Sequence, residues 1–167
     1  MLTQRQVKEL FDYREDGRLV RKVATSGPSG AVGTVVGYNP KKLTRNNRYA
    51  TTKVHGEHWC VHKLIFFWHH GYVPEQLDHI NRDTLDNRIE NLREANAAQN
   101  ACNRSKFANN TSGAKGVSWH KAQQKWFVYV AIDKRHRSIG YFDDFELAEL
   151  AAIEAREKYH GLYANHF

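Results

Sequence analysis

Apolar residues along this 167-residue chain change their spacing several times, and each change predicts an element. Near the start, Val7, Leu10 and Phe11 fall at i, i+3 and i+4. That spacing predicts a short helix capped by Thr3, with Leu2 placed as a staple across the cap. Asp16-Gly17 predicts a turn into a strand over residues 18–23. Residues 49–54 and 57–61 read as a hairpin around His55-Gly56. The stretch VHKLIFFWHH then carries Leu64, Ile65, Phe66, Phe67 and Trp68, and Gly71 follows as a stop. So many large apolar residues belong to a core helix.

Beyond residue 113 the period changes. Residues 114–119, 125–132 and 135–141 read as three strands, with turns at 121–124 and at Asp133-Lys134. Asp144 then caps a helix carrying Leu147, Ala148, Ala151, Ala152 and Ala155, which ends at Gly161. Alanines on one face let a helix sit close against a sheet. Two stretches lack periodicity. Residues 24–48 are loop-rich, with glycines at 27, 30, 33 and 37, and residues 103–113 are polar and turn-rich, a linker between modules.

Charge adds a partner to this picture. Lys and Arg total 25 against 18 Asp and Glu, a formal +7 with a pI near 9.5, which suits a polyanion. The loop-rich stretch ends in Lys41, Lys42, Arg45 and Arg48, a mixture of glycine and cations able to follow a phosphate backbone; a solvated loop accounts for the same composition. Cys60 and Cys102 are the only cysteines, so neither a disulfide framework nor a CxxC pair for structural zinc is present. The chain begins MLTQRQVKEL, without an apolar signal region, and no run approaches membrane-spanning length. A soluble, cytoplasmic protein without a membrane partner is expected.

Candidate chemistry concentrates in DHINRDTLDNRIENLREANAAQN, residues 78–100. It opens on the adjacent acid and imidazole of Asp78-His79, crosses a polar turn, and passes Asn91-Leu92-Arg93 before Asn100. An imidazole takes a proton from water near neutral pH, and a carboxylate with an amide oxygen offers two hard ligands to Mg²⁺. Together these meet the two requirements of phosphodiester hydrolysis, a nucleophile and charge neutralisation. Singly, each residue has a plainer use: Asp86-Asn87 and Asn96 read as turn or cap formers. The histidines 62, 69 and 70 read as structural, since His69 and His70 are helix neighbours that point apart.

The order and spacing resemble the HNH motif of phage-type homing endonucleases, with Asp78-His79 as the first element, Asn91 the second and Asn100 the third. The preceding VHKLIFFWHHGYVPEQ resembles the helix and loop that lead into the motif. The resemblance implies a ββα-metal fold with Asp78 and His79 at a strand end, a return strand over residues 87–93 and a helix over residues 94–104. It makes His79 the general base, Asn91 the residue orienting its imidazole, and Asp78 with Asn100 the ligands of Mg²⁺ or Mn²⁺. Many members of the wider superfamily have His where this chain has Asn100. Arg93 is placed in sequence to contact a phosphate, or to form a surface ion pair.

The C-terminal segment resembles the AP2 DNA-binding domain, a three-stranded sheet backed by a helix, through Gly116-Val117, Trp126 and Ile139-Gly140-Tyr141-Phe142. Ser118 and Trp119 stand where plant members usually carry arginines, so base preferences do not transfer. Lys115, Trp119, Lys125, Trp126, Tyr129, Arg135 and Arg137 mix cations and aromatics and are expected on the sheet face away from the helix, as DNA contacts.

The expected fold is thus α+β. A basic N-terminal α/β leader (1–56) precedes a ββα-metal HNH core (57–104), a linker (105–113) and an AP2-like domain (114–167). The expected function is site-selective, metal-dependent cleavage of double-stranded DNA by a monomer or weak homodimer. The rivals are a non-catalytic DNA-binding regulator that keeps the HNH fold as scaffold, and an RNA nuclease or binder.

Overall fold

Thr3 does what its position predicts: its side chain accepts from the Gln6 amide, the Gln6 side chain accepts from the Thr3 amide, and helix α1 (Gln4–Leu10) starts there. The computed structural model describes residues 2–27, 30–37, 49–133 and 135–167. Lys41, Lys42, Arg45 and Arg48 lie outside the described residues. Two compact units are formed, Met1–Ala95 and Asn96–Phe167. Among the described residues the fold is mixed α/β, with four α-helices and four small antiparallel sheets. No helix there is long and apolar enough to cross a membrane.

In the first unit α1 leads directly into strand β1 (Phe11–Arg14), which pairs with β2 (Arg18–Arg21) through the Asp16-Gly17 turn. A second hairpin joins β3 (Thr51–Val54) to β4 (Glu57–Cys60). Helix α2 (Val61–His70) follows at once and ends on Gly71, whose φ of 79° carries the left-handed turn and whose N–H donates to the Phe67 carbonyl. Val61, Leu64, Ile65, Phe66 and Phe67 of α2 are all buried, so the helix is the centre of the unit's core. Val7, Phe11, Leu19 and Val54 pack onto it from the N-terminal elements. Leu77 and Leu92 join the same core from strands β5 (Gln76–His79) and β6 (Leu92–Ala95). That seats β5, which carries Asp78 and His79, and its partner β6 against α2.

The stretch between β5 and β6 departs from the sequence-based expectation. Residues 87–93 are not one strand: a 3₁₀ turn (Ile89–Asn91) precedes β6. Local side-chain bonds hold the preceding loop out of a ladder, with Asn81 Nδ2 donating to Asp86 and Arg88 pairing with Asp86. The following helix is also shorter than 94–104. Glu94 and Ala95 stay paired with Leu77 and Gln76, and Asn96 forms a capping box with Gln99 to start α3 (Ala97–Cys102) in the second unit.

In the second unit, β7 (Val117–His120), β8 (Lys125–Ile132) and β9 (Arg135–Phe142) form one antiparallel sheet in that order. Asp144 accepts from the Leu147 amide and starts α4 (Phe145–His160). Ala148, Ala152 and Ala155 of α4 are buried, and Ala148 and Ala152 share a core with Val117 and Val128 of the sheet.

Candidate functional site

Strand β5 delivers Asp78 and His79 to the end of a two-stranded ladder in which Asp78 stands opposite Arg93 and His79 opposite Leu92. Both are buried, at 5% and 4% exposure, although one is acidic and the other titratable. Such groups are seldom buried without partners. Arg93 donates through Nε and a terminal nitrogen to Asp78 Oδ2, at 2.9 and 2.7 Å. The His79 Nε2 lies 2.9 Å from Asn87 Oδ1, and because an amide oxygen only accepts, the ring donates there. In the neutral tautomer so fixed, the basic lone pair sits on Nδ1.

Asn91 has a different attachment from the one its place in the sequence implied. Its Oδ1 accepts from the Asn81 amide at 3.0 Å, and its Nδ2 donates to Asn81 Oδ1 and to the Asp86 carbonyl at 2.9 and 2.7 Å. It ties both ends of the 80–88 loop together, while Asn87, read from sequence as a turn former, reaches the imidazole. The sequence held one signal for this, a second Asn beside Asp86 within the same turn. Asn87 is itself held from behind. Tyr13 Oη accepts from the Ile89 amide at 3.0 Å, and the left-handed Gly17 packs so closely that a Cβ would collide with the Arg88 nitrogen and lie 2.7 Å from the Asn87 carbonyl carbon. The N-terminal hairpin therefore braces the loop that holds His79.

Two rings complete the surroundings. His62 of α2 meets His79 edge-on at 5.3 Å, and Tyr49 lies over both, 4.8 Å from His62 and 6.1 Å from His79. Burial first, then the neighbouring His79, push His62 down to about 3, so it is a neutral wall at physiological pH. A histidine with a lowered folded pKa favours folding fully above its unfolded value near 6.5, and that contribution is lost as pH falls toward 3. Unfolding free energy should thus drop with acidification, by at most about 1.4 kcal/mol per pH unit from this group. Denaturant titrations of wild type and His62→Gln across that range should show the steeper pH dependence in wild type.

As a metal site the donor set is sparse. Among the described residues no group of three or more His, Cys, Asp or Glu converges as a cage. One buried carboxylate, supplemented by an amide oxygen, fits Mg²⁺ or Mn²⁺, which keep waters and take substrate phosphate oxygens. Asn100 lies on α3, in the second unit.

A scan against family models matches HNH endonuclease over residues 60–102, which spans α2, the Asp78-His79 strand and α3. Protein 3.8 of Escherichia phage T7 is 32% identical over 98 residues, covering 56% of this chain and 78% of that protein. The chain belongs to the HNH endonuclease family. No solved structure matches it. HNH nucleases act on DNA and generally use a divalent metal, and the buried Asp78-His79 pair lies within the matched segment of this HNH chain.

The seven residues expected together on the helix-free face of the C-terminal sheet are divided by it. Pairing Trp119 with Trp126 and Val117 with Val128 puts both tryptophans on the face toward α4, where Trp126 also meets Phe145 at 4.9 Å. Arg137 stands opposite Val130 and lies over the Tyr159 ring of α4 at 5.0 Å, and Arg135 follows it on that side, opposite Ile132. Lys115 precedes the sheet, and its Nζ donates to the carbonyls of Cys102, Arg104 and Asn165 at 3.0, 2.6 and 3.0 Å. Only Lys125 and Tyr129 of the set lie on the helix-free face. Period-2 alternation had left this choice of face open, and the apolar Val117, Val128 and Val130 decide it by facing α4. Lys115→Met strands three carbonyls and should cost about 2–4 kcal/mol of stability, measured by chemical denaturation.

Proposed function

We propose that this chain is a site-selective DNA endonuclease of the HNH homing type, hydrolysing a phosphodiester with a His79-activated water. The observation that carries this reading is the buried Asp78-His79 pair with its imidazole fixed by Asn87. Residues 57–104 would act as a ββα-metal core. A buried, oriented imidazole is suited to accept a proton from water for in-line attack at phosphorus. Mg²⁺ or Mn²⁺ bound at the site would neutralise charge on the phosphate and the departing 3′ oxygen. Asp78 would hold it, with Asn100 as second ligand on the strength of the sequence motif. Arg93, paired with Asp78, would bring positive charge beside a neighbouring phosphate.

Asn87 takes the orienting role in this account, and Asn91 shapes the loop that presents it. Asn87→Ala should lower kcat roughly ten- to hundredfold with little change in DNA affinity, measured by single-turnover cleavage and binding. The basic stretch of Lys41, Lys42, Arg45 and Arg48 would add salt-sensitive affinity. Residues 114–167, AP2-like, would set position on DNA.

The test is cleavage of duplex DNA from the source genome in low salt with Mg²⁺ or Mn²⁺. Breaks at one locus, stopped by EDTA, support the reading, and their distribution between strands distinguishes a nick from a double-strand break. Selective binding without any metal-dependent break on DNA containing the bound site would leave only a DNA-binding regulator.

A further inference from the structure

The helix-free face of the C-terminal sheet is lined by rings. Strand alternation brings His120, Phe127, Tyr129, His136 and Tyr141 onto it, and they form one continuous stripe across three strands. His120 meets Tyr141 at 5.2 Å, Tyr141 meets Phe127 at 4.9 Å, Phe127 stacks with Tyr129 at 5.9 Å, and Tyr129 stacks with His136 at 4.6 Å. Tyr141 is 41% exposed and His136 is exposed, so the stripe is not core. Lys125 is the strand cation beside it, and Ser118, Ala131 and Ser138 fill the face's other positions.

Two features narrow the ligand. The first is charge segregation. From Ala114 to Phe142 the chain carries six Lys or Arg and one acid, Asp133, whereas from Asp143 to Glu157 it carries six acids and one base, Arg156. The sheet segment is thus basic in balance, with Lys125 at the ring-bearing face and Arg135 and Arg137 toward α4, which puts counter-charge for a polyanion around the sheet rather than on one face alone. The second is the absence of long amide or guanidinium side chains from the face's strand positions. Reading base edges in a duplex major groove uses Arg, Lys, Asn or Gln, and of these only Lys125 is present, itself paired with Asp143 at 3.1 Å. Flat rings beside cations instead suit the exposed faces of unpaired bases.

We infer that this face is a stacking platform for single-stranded DNA, through Phe127, Tyr129, His136 and Tyr141. The inference rests on the reading of the chain as a DNA-acting protein and specifies the strand state that its C-terminal unit holds. In a nuclease, such a platform grips an unpaired strand at a frayed, nicked or looped target while the buried Asp78-His79 pair acts on phosphodiester.

The test uses the full chain in EDTA, so that cleavage plays no part, with a labelled 20-mer oligothymidine and a duplex of equal length followed by fluorescence anisotropy at increasing salt. Expected is oligothymidine binding that survives salt better than duplex binding. Tyr141→Ser, at an exposed ring, and Tyr129→Leu, which keeps the volume, should each weaken it roughly five- to hundredfold, whereas Trp119→Ala on the other face should not. Far-ultraviolet circular dichroism of each variant verifies folding. Duplex binding that exceeds oligothymidine binding and ignores these substitutions overturns the inference, as does a dimer in sedimentation that Tyr141→Ser dissociates without any oligothymidine binding. A chain that cuts duplex DNA yet ignores oligothymidine loses this inference alone. A chain that binds it through these rings and never cuts loses the nuclease reading alone.

Discussion

His79→Ala is expected to slow phosphodiester cleavage by roughly 10²- to 10⁴-fold, the range general acid–base catalysis contributes, while DNA binding persists. The ring stands outside the unit's apolar core. It closes the end of a short ladder, and the core beneath is supplied by Leu77, Leu92 and α2. Its hydrogen bond to Asn87 and its contact with the neutral His62 hold one orientation. Alanine removes the proton acceptor and leaves Asp78 with Arg93. Single-turnover cleavage at saturating enzyme, beside anisotropy binding in EDTA, measures both halves. A variant that loses binding as well as cleavage would assign His79 to DNA contact or to folding instead.

The second large effect is on stability. Arg93 forms an ion pair with Asp78, whose side chain is 6% exposed, and its own is 17% exposed. Removing one member of a buried pair leaves the other charge undercompensated, at a cost of about 3–5 kcal/mol. Arg93→Met should therefore destabilise the metal-free protein by about that amount. A divalent ion that binds Asp78 would replace the lost positive charge, so millimolar Mg²⁺ or Mn²⁺ should raise the melting temperature of Arg93→Met more than that of wild type. Thermal melts with and without EDTA compare the four conditions. Equal metal shifts in both proteins would mean that Asp78 is not the carboxylate that meets the ion.

Much of this was legible in residue order. Thr3, the Asp16-Gly17 turn, the apolar run into Gly71 and the Asp144 cap each sit where they start or stop an element, because caps and turns are local chemistry. The Asp78-His79 strand end was equally readable. The partner of His79 was not, because Asn87 and Asn91 are alike in composition and the choice between them depends on how a nine-residue loop closes. Asn81, Asp86 and the bracing Gly17 settle that closure, and Gly17 lies 70 residues away in sequence. The strand beginning at Leu92 was displaced for the same reason: the 3₁₀ turn before it is imposed by the loop's own bonds. In the C-terminal sheet, alternation gave two faces without saying which meets α4. Tryptophans suit both a core and a DNA contact, so the small valines, not the rings, carried that information.

In the proposed reaction His79 takes the proton from the attacking water, and chemical rescue reads that transfer at the ring itself. His79→Gly opens a ring-sized space beside Asn87, and cleavage by that variant should recover in proportion to added imidazole, with wild type unaffected. Recovery that follows the unprotonated fraction of the added base identifies His79 as a proton acceptor. Wild-type cleavage rates in His79→Gly without imidazole would contradict the account, and so would a variant that folds, binds DNA and metal, and stays inactive at every imidazole concentration.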